Sequence, residues 1–488
     1  MNTNQKFGKV RSILFPIHGH ELRKFLPLAA IFFIISFNYA GLRSLKDMFL
    51  LQNTDAEVIY YLKLFGVTPG ILLFTILYGK VTKTTGRDGR FNAVVGYFLL
   101  FFIACYFVFI PNLPALQLDQ TADNLIGMAP KAKGLWQALR YWPLSLFYIH
   151  AEAWGTMALG VLFWTFVNEI STVEQAKRFY SFLSLGAAMG LMVAGMTLKH
   201  FQTDFVLMLG VIIGLTVAML IMYNMFAHDI RSNPLLYQVE VKPKKKKAKM
   251  SFGESFKFLL RSRYLALIAT IVIAYGSAVS LFESVWKSQI KKLTQIAGDG
   301  VLSDIYGDQG VYGGIISLVV VLFVSAPVMR RGWRFAALVT PVITLLATVV
   351  FFSFLLFDDA IGSRMGLSAA GLLPFAVHFG LLNVIFVKSV KYVLFDTTKE
   401  QAYIPLDEES KVRGKAAVDG VGSRLGKSLG SIVVTLLTLS VGSIDDAKGI
   451  VFVVIVIMLL LWIRAINKLS VEFRKKNEEQ ETESTVAK

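Results

Sequence analysis

Roughly twelve apolar stretches of about 18 residues or more divide this chain, near residues 25–42, 61–79, 91–111, 142–167, 179–199, 204–227, 264–286, 311–329, 335–357, 366–387, 415–440 and 449–466. Each is long enough to carry an α-helix across a bilayer. A membrane barrel would instead show alternating segments of about ten residues. Because hydrocarbon offers the backbone no hydrogen-bond partner, the fold class that follows is an all-α polytopic membrane protein. Only 17% of the residues are charged and 55% are hydrophobic, against about 25% charged in an average soluble domain, which excludes a soluble enzyme. The eleventh stretch is the weakest, being interrupted by Asp419, Arg424 and Lys427.

The net charge of +17 would suggest nucleic acid in a soluble protein, but its distribution points elsewhere. With the N-terminus placed inside, about 36 of the 50 Lys and Arg residues fall in inside segments and about 11 in outside ones. Both termini are therefore expected in the cytoplasm, with no nucleic-acid partner and the lipid bilayer as surroundings. Met1 to Lys24 is basic and leads straight into the first span, with no cleavable signal of its own. The run Lys242-Pro-Lys-Lys-Lys-Lys-Ala-Lys249 reads as a solvated cytoplasmic linker between spans six and seven. Cys105 is the single cysteine and the six His residues are scattered, so neither a disulfide framework nor a metal or other cofactor is expected.

The two sides of that linker resemble each other. Tyr39-x4-Ser44-Leu45-x-Asp47 returns 236 residues later as Tyr275-x4-Ser280-Leu281-x-Glu283, and Ser171-Thr-x-Glu-Gln-Ala176 returns after 226 as Thr397-Thr-x-Glu-Gln-Ala402. Two echoes at similar offsets, each after an equivalent span, indicate a parallel repeat of six helices and a major-facilitator-like pair of bundles with a site between them. The expected organisation is a cytoplasmic segment 1–24, a bundle 25–227, a basic linker 228–262, a second bundle 263–467 and a cytoplasmic tail 468–488.

A charge within a span costs at least about 2.5–3.5 kcal/mol near its centre, so each one is a candidate site residue. Glu152 lies within the fourth span. Arg43, Lys46 and Asp47 follow the first, where Arg43 and Asp47 are spaced to pair on one helix face, and Glu283 and Lys287 repeat that spacing in the seventh. Lys388 and Lys391 sit at the cytoplasmic end of the tenth span, where snorkelling accounts for them. Arg424 and Lys427, one turn apart amid glycines 420, 422, 426 and 430, are placed in the middle of the eleventh, where it does not. The Gly426-Lys427-Ser428 triplet lacks the P-loop's first glycine, since position 421 is Val, and no strand precedes it. Asn383, a polar residue in the tenth span, is suited to contacting a base. So many cations in a membrane site point to a substrate with several phosphates rather than to a sugar or a simple dianion.

Specific motifs carry a resemblance over nearly the whole chain. They are Phe15-Pro-Ile-His18, Leu42-Arg-Ser-Leu-Lys-Asp47, Glu152-Ala-Trp-Gly155, Asn168-Glu-Ile170, Ala176-Lys-Arg-Phe-Tyr180, Trp286-Lys287, Lys391-Tyr-x-Leu-Phe-Asp396, Ala402-Tyr-Ile-Pro-Leu-Asp407 and Arg424-Leu-Gly-Lys-Ser428. In these the chain resembles the ATP:ADP antiporter family, the nucleotide transporters of obligate intracellular bacteria and plastids. The resemblance implies a non-enzymatic, monomeric transporter of a bacterial inner membrane that exchanges ATP for ADP, with phosphate as a further substrate in some members. Other members take up several nucleotides, with or without protons. The family's prominent charged positions map onto Lys46, Glu152, Glu283 and Lys427. The chain departs from many members at Ala153, where they carry Leu, and at Leu429, where they carry Gly.

The charge distribution makes a direct prediction about sidedness. Trypsin cleaves at the 242–249 run in inside-out membrane vesicles and spares it in right-side-out vesicles; the reverse pattern, read by immunoblot, inverts the topology.

Overall fold

The computed structural model describes residues 17–202, 204–233, 252–418 and 422–486, and helices make up nearly all of them, with no strand among the described residues. The first half holds α1 (Gly19–Asn53), α2 (Val58–Thr84), α3 (Arg87–Phe109), α4 (Trp142–Ile170), α5 (Val173–Phe201) and α6 (Phe205–Ser232). The second holds α7 (Arg263–Ala297), α8 (Gly300–Val324), α9 (Trp333–Leu356), α10 (Ala369–Val390), α11 (Ser423–Val441) and α12 (Lys448–Glu479). Among the described residues, eleven of these helices are long and apolar enough to cross a membrane. The exception is α5, whose apolar part is confined to Leu185–Phe201 because its first turns read Val173-Glu-Gln-Ala-Lys-Arg178. The basic run 242–249 lies outside the described residues. A short helix, Phe252–Arg261, occupies part of the stretch expected as linker.

Helix ends follow local chemistry. The Thr172 hydroxyl accepts from the Gln175 amide while the Gln175 side chain reaches back to Thr172, a reciprocal cap that starts α5. Ser262 and Ser368 cap α7 and α10 in the same way, through one bond each. Gly442, at φ 111°, turns the chain out of α11.

Packing repeats the sequence echo. In the first half α1 lies against α4, α5 and α6; in the second α7 lies against α10, α11 and α12. Small residues set both central pairs close. A side chain at Gly190 of α5 would meet the Phe33 carbonyl and the Phe37 amide of α1 at 3.0 Å, and one at Gly426 of α11 would meet the Ile273 carbonyl of α7 at 3.0 Å. The glycines of the eleventh segment that the structure describes near the triplet therefore serve helix packing: Gly426 and Gly430 abut α7, and Ser277 donates to the Gly426 carbonyl at 3.0 Å.

The halves join through α5 on α8, α2 on α11, and α1 on both α7 and α8. Along the first of these, Gly195 of α5 lies so near α8 that a Cβ there would sit 2.5 Å from the Gly307 carbonyl and 2.6 Å from the Val311 amide. Polar bonds between the halves gather on the face opposite the N-terminus. Lys291 donates to the Leu51 carbonyl (2.6 Å), Gln52 to Asp299 (2.7 Å) and the Ile444 amide to Glu57 (2.8 Å), while Lys199 pairs with Asp308 (2.6 Å). Large apolar side chains such as Leu100, Phe107, Phe323 and Leu346 point outward on the remaining surface, as a lipid-facing wall requires. Three π-helical turns interrupt the helices close to charged residues: Leu62–Val67 in α2, Gly155–Phe163 in α4 and Lys391–Phe395 after α10. Such turns admit an extra residue and re-aim the side chains beside them.

The glycine contact is testable by overpacking. Gly195→Val forces α5 from α8 and destabilises the purified protein by about 1–3 kcal/mol, seen as a lower thermal midpoint. Gly79→Val, at a position with open space around it, leaves the midpoint unchanged.

Candidate functional site

Carboxylates from three helices hold cations from both halves in one cluster of two neighbouring ion-pair sets, the first around Asp47 and Glu152 and the second around Glu283. Asp47, 4% exposed, accepts from Lys46 at 3.1 Å and from Lys287 of the opposite half at 2.7 Å. Lys46 goes on to Glu152 at 3.0 Å, its ammonium resting 4.0 Å over the Tyr148 ring. Glu283 pairs with Lys388 of α10 at 2.8 Å and lies 3.9 Å from Arg43 of α1. The repeat is thus exchanged across its own boundary. Asp47 and Glu283 are equivalent positions in the two echoes, and each holds a cation from the other half as well as one from its own.

This wiring differs from helix spacing alone. Arg43 and Asp47, spaced to pair on one face, instead take separate partners, and Lys287 reaches Asp47 rather than Glu283. The reason is the approach of α1 to α7, which offers each side chain a partner across the gap. Lys388, expected to snorkel to the surface, turns inward to Glu283, whereas Lys391 pairs locally with Asp396 at 2.8 Å. Buried ion pairs of this kind cost desolvation that their own attraction roughly offsets, so they define positions more than they stabilise the fold.

Exposure separates the members of the cluster. The side chain of Glu152 is 34% exposed while that of Lys46 is 4% exposed, so Glu152 is the carboxylate within reach of a ligand. Lys427 is exposed and has no ion-pair partner among the described residues, yet it acts electrostatically on Glu152 from the opposite half. Residues 419–421 lie outside the described residues; beyond them Arg424 and Lys427 are one turn apart on α11, and the Lys427 backbone packs against Gly276 of α7. Arg424 is exposed and joins none of the pairs described above. Asn383 is buried, and its side-chain carbonyl has no hydrogen-bond partner among the described residues. Asp419 lies outside the described residues.

Helix charge alone missed several participants. Lys63, in the π-helical turn of α2, contributes to the field at Asp47, Glu152 and Glu283. Tyr60, Tyr148 and Tyr306, each at most 3% exposed, carry hydroxyls with no hydrogen-bond partner, and all three interact electrostatically with Asp47 and Glu283. No group of three or more His, Cys, Asp or Glu is placed to hold a metal ion among the described residues. What the arrangement offers a ligand is positive charge and polar hydrogen-bonding groups, on a surface shared by both halves.

The cluster predicts a coupled pair. Asp47→Ala strands two buried ammonium groups and costs about 3–5 kcal/mol of stability. Adding Lys287→Met to that change recovers part of the loss. Simple additivity in a double-mutant cycle, read by thermal unfolding in detergent, contradicts the contact.

Comparison with other proteins gives the family. Residues 1–473 match the model of the TLC ATP/ADP transporter family. The chain is 38% identical to ADP,ATP carrier protein 1 of Chlamydia muridarum, covering 99% of this chain and 95% of that one. It is 35% identical to the ADP,ATP carrier protein 1 of Rickettsia typhi, with 96% of each covered. With the chloroplastic ADP,ATP carrier protein 1 of Arabidopsis thaliana it shares 34% identity over 96% of this chain and 77% of the other. Among solved structures, a point mutant of the nucleoside transporter NupG superposes with a TM-score of 0.57 at 10% identity, covering 92% of this chain and all of that one. A bacterial homologue of the iron transporter ferroportin, in an inward-facing state, gives 0.53 at 16% identity, with 94% and 99% covered; these two likenesses concern the fold. On the whole-length match and the carriers that share it, the chain belongs to the TLC ATP/ADP transporter family and is a multi-pass membrane transporter, not an enzyme.

Proposed function

We propose that this transporter exchanges ATP for ADP by alternating access, with the nucleotide phosphates held between the two halves. The observation that carries the reading is the cluster itself. Lys46, Glu152 and Glu283, spread over three helices, belong to neighbouring ion-pair sets that both cross between the halves, and Lys427 of α11 acts electrostatically on Glu152. The printed names of the full-length relatives support the choice of substrate. Lys46 and Lys427, one in each half, clamp phosphates with help from Arg43 and Arg424; Lys287 holds Asp47 in place; Asn383 contacts the base; Glu152 and Glu283 orient the cations.

Placement follows from the charge distribution. Both termini lie in the cytoplasm, the membrane is the inner membrane of a bacterium, and the working unit is a monomer built of bundles 25–227 and 263–467. In that orientation the bonds between halves close the external face, so the conformation is the inward-facing one. Exchange of ATP for ADP alone moves about one net negative charge, worth about 2.3 kcal/mol per 100 mV against an inside-negative potential. Phosphate leaving with ADP relieves that cost.

Uptake of labelled ATP by cells expressing the protein tests the mechanism. Uptake rises with an internal ADP pool and survives an uncoupler; uptake without internal nucleotide that collapses with the uncoupler establishes proton-coupled net import instead. Lys46→Ala and Lys427→Ala lose nucleotide binding while Lys245→Ala retains it.

A further inference from the structure

The cations of the cluster are not equivalent in what already occupies them. Arg43, Lys46, Lys287 and Lys388 are each engaged by Asp47, Glu152 or Glu283. A cation so engaged meets an incoming phosphate only by sharing it with a carboxylate. Lys63 has no ion-pair partner among the described residues. It is half-buried, its ammonium lies 4.7 Å from the centre of the Tyr60 ring, and no carboxylate of the described residues lies within pairing distance. An ammonium held within a span without a counter-charge is costly, and one ring contact contributes too little to offset that.

Local structure explains how Lys63 comes to be there. Residues Leu62–Val67 form a π-helical turn that packs on α4, where Gly66 and Gly70 accept the Ile149 side chain, and on α11 of the opposite half. The turn thus lies on the boundary that α2 and α11 share. Lys63 and Lys427 both act on Glu152, the most exposed carboxylate of the cluster. Two cations with no ion-pair partner among the described residues, one from each half, therefore act on the most exposed carboxylate of the cluster.

We propose that Lys63 is a substrate-phosphate ligand that works opposite Lys427, so that one polyphosphate bridges the two halves through the only cations of the cluster left without a carboxylate among the described residues. The assignment rests on the nucleotide-exchange reading and adds to it a residue and a geometry. The cluster links six cations to three carboxylates, and Arg424 lies one turn from Lys427. With Arg424 counted, the formal excess is four positive charges, which matches the roughly four negative charges of ionised ATP at neutral pH. Binding at this boundary ties a phosphate to both α2 and α11, which gives substrate a means of biasing the relative position of the halves.

Equilibrium binding of ATP and ADP to the purified full-length protein decides the matter, with Lys63→Gln and Lys63→Arg compared against the wild type. A lost charge-assisted contact corresponds to about tenfold or more in affinity. Lys63→Gln is expected to weaken ATP by that factor with the ligand-free thermal midpoint unchanged or raised, since it removes an uncompensated charge, and Lys63→Arg to stay within about threefold of wild type because it keeps a charge-assisted donor. Wild-type affinity in Lys63→Gln overturns the assignment and leaves nucleotide exchange standing. Affinity lost together with thermal stability, and not rescued by Arg, also overturns it, by showing a structural role. Absence of ATP and ADP binding by the wild type overturns the exchange reading and this assignment with it.

Discussion

The carboxylate of Asp47 is the point on which the two halves of this protein meet. It is buried at the depth of the membrane and is held at once by Lys46 from its own helix and by Lys287 from the other half. A lone ion in that position would be expelled or neutralised; two opposing ammonium groups allow it to stay. Lys46 carries the connection on to Glu152, and the equivalent carboxylate, Glu283, repeats the arrangement with Lys388 and Arg43. Lys46–Glu152 and Lys388–Glu283 tie α4 to α1 and α10 to α7 within each half, while Lys287–Asp47 and Arg43–Glu283 tie α1 to α7 across the boundary and exist only while the halves are together.

Such a centre suits a transporter because it is expensive to assemble and inexpensive to rearrange. The Coulombic attraction of buried pairs is largely offset by their desolvation, so substituting a phosphate oxygen for a carboxylate changes partners without a large loss. Glycine-lined contacts supply the complementary rigid part. Gly195 of α5 against α8, Gly190 against α1 and Gly426 against α7 bring backbones too close to admit a side chain, which lets whole helices move as packed units.

Much of the fold was legible in the chain. The apolar blocks specified helices that span a membrane, and the echoes at Tyr39 and Tyr275 specified a repeat that reappears in the contacts of α1 and α7. Lys46, Glu152, Glu283 and Lys427 stood out because charge within an apolar block is costly wherever it points. Partners were not legible. Arg43 beside Asp47, and Glu283 beside Lys287, have ideal spacing for pairs along one helix, yet the pairs that form run between helices. Lys63 and the three buried tyrosines escaped notice because nothing in their sequence surroundings separates them from an ordinary helix end or an ordinary aromatic core.

By itself the sequence determined class, repeat and the residues that hydrocarbon penalises, because each of these is written in the local order of side chains along the chain. The tertiary structure alone decided which carboxylate holds which cation and which cations remain free. It also decided that the glycines beside Lys427 pack a helix instead of cradling a phosphate. Those outcomes depend on distances between helices far apart in the chain, where an ångström in the approach of α1 to α7 determines whether Lys287 reaches Asp47 or its own neighbour.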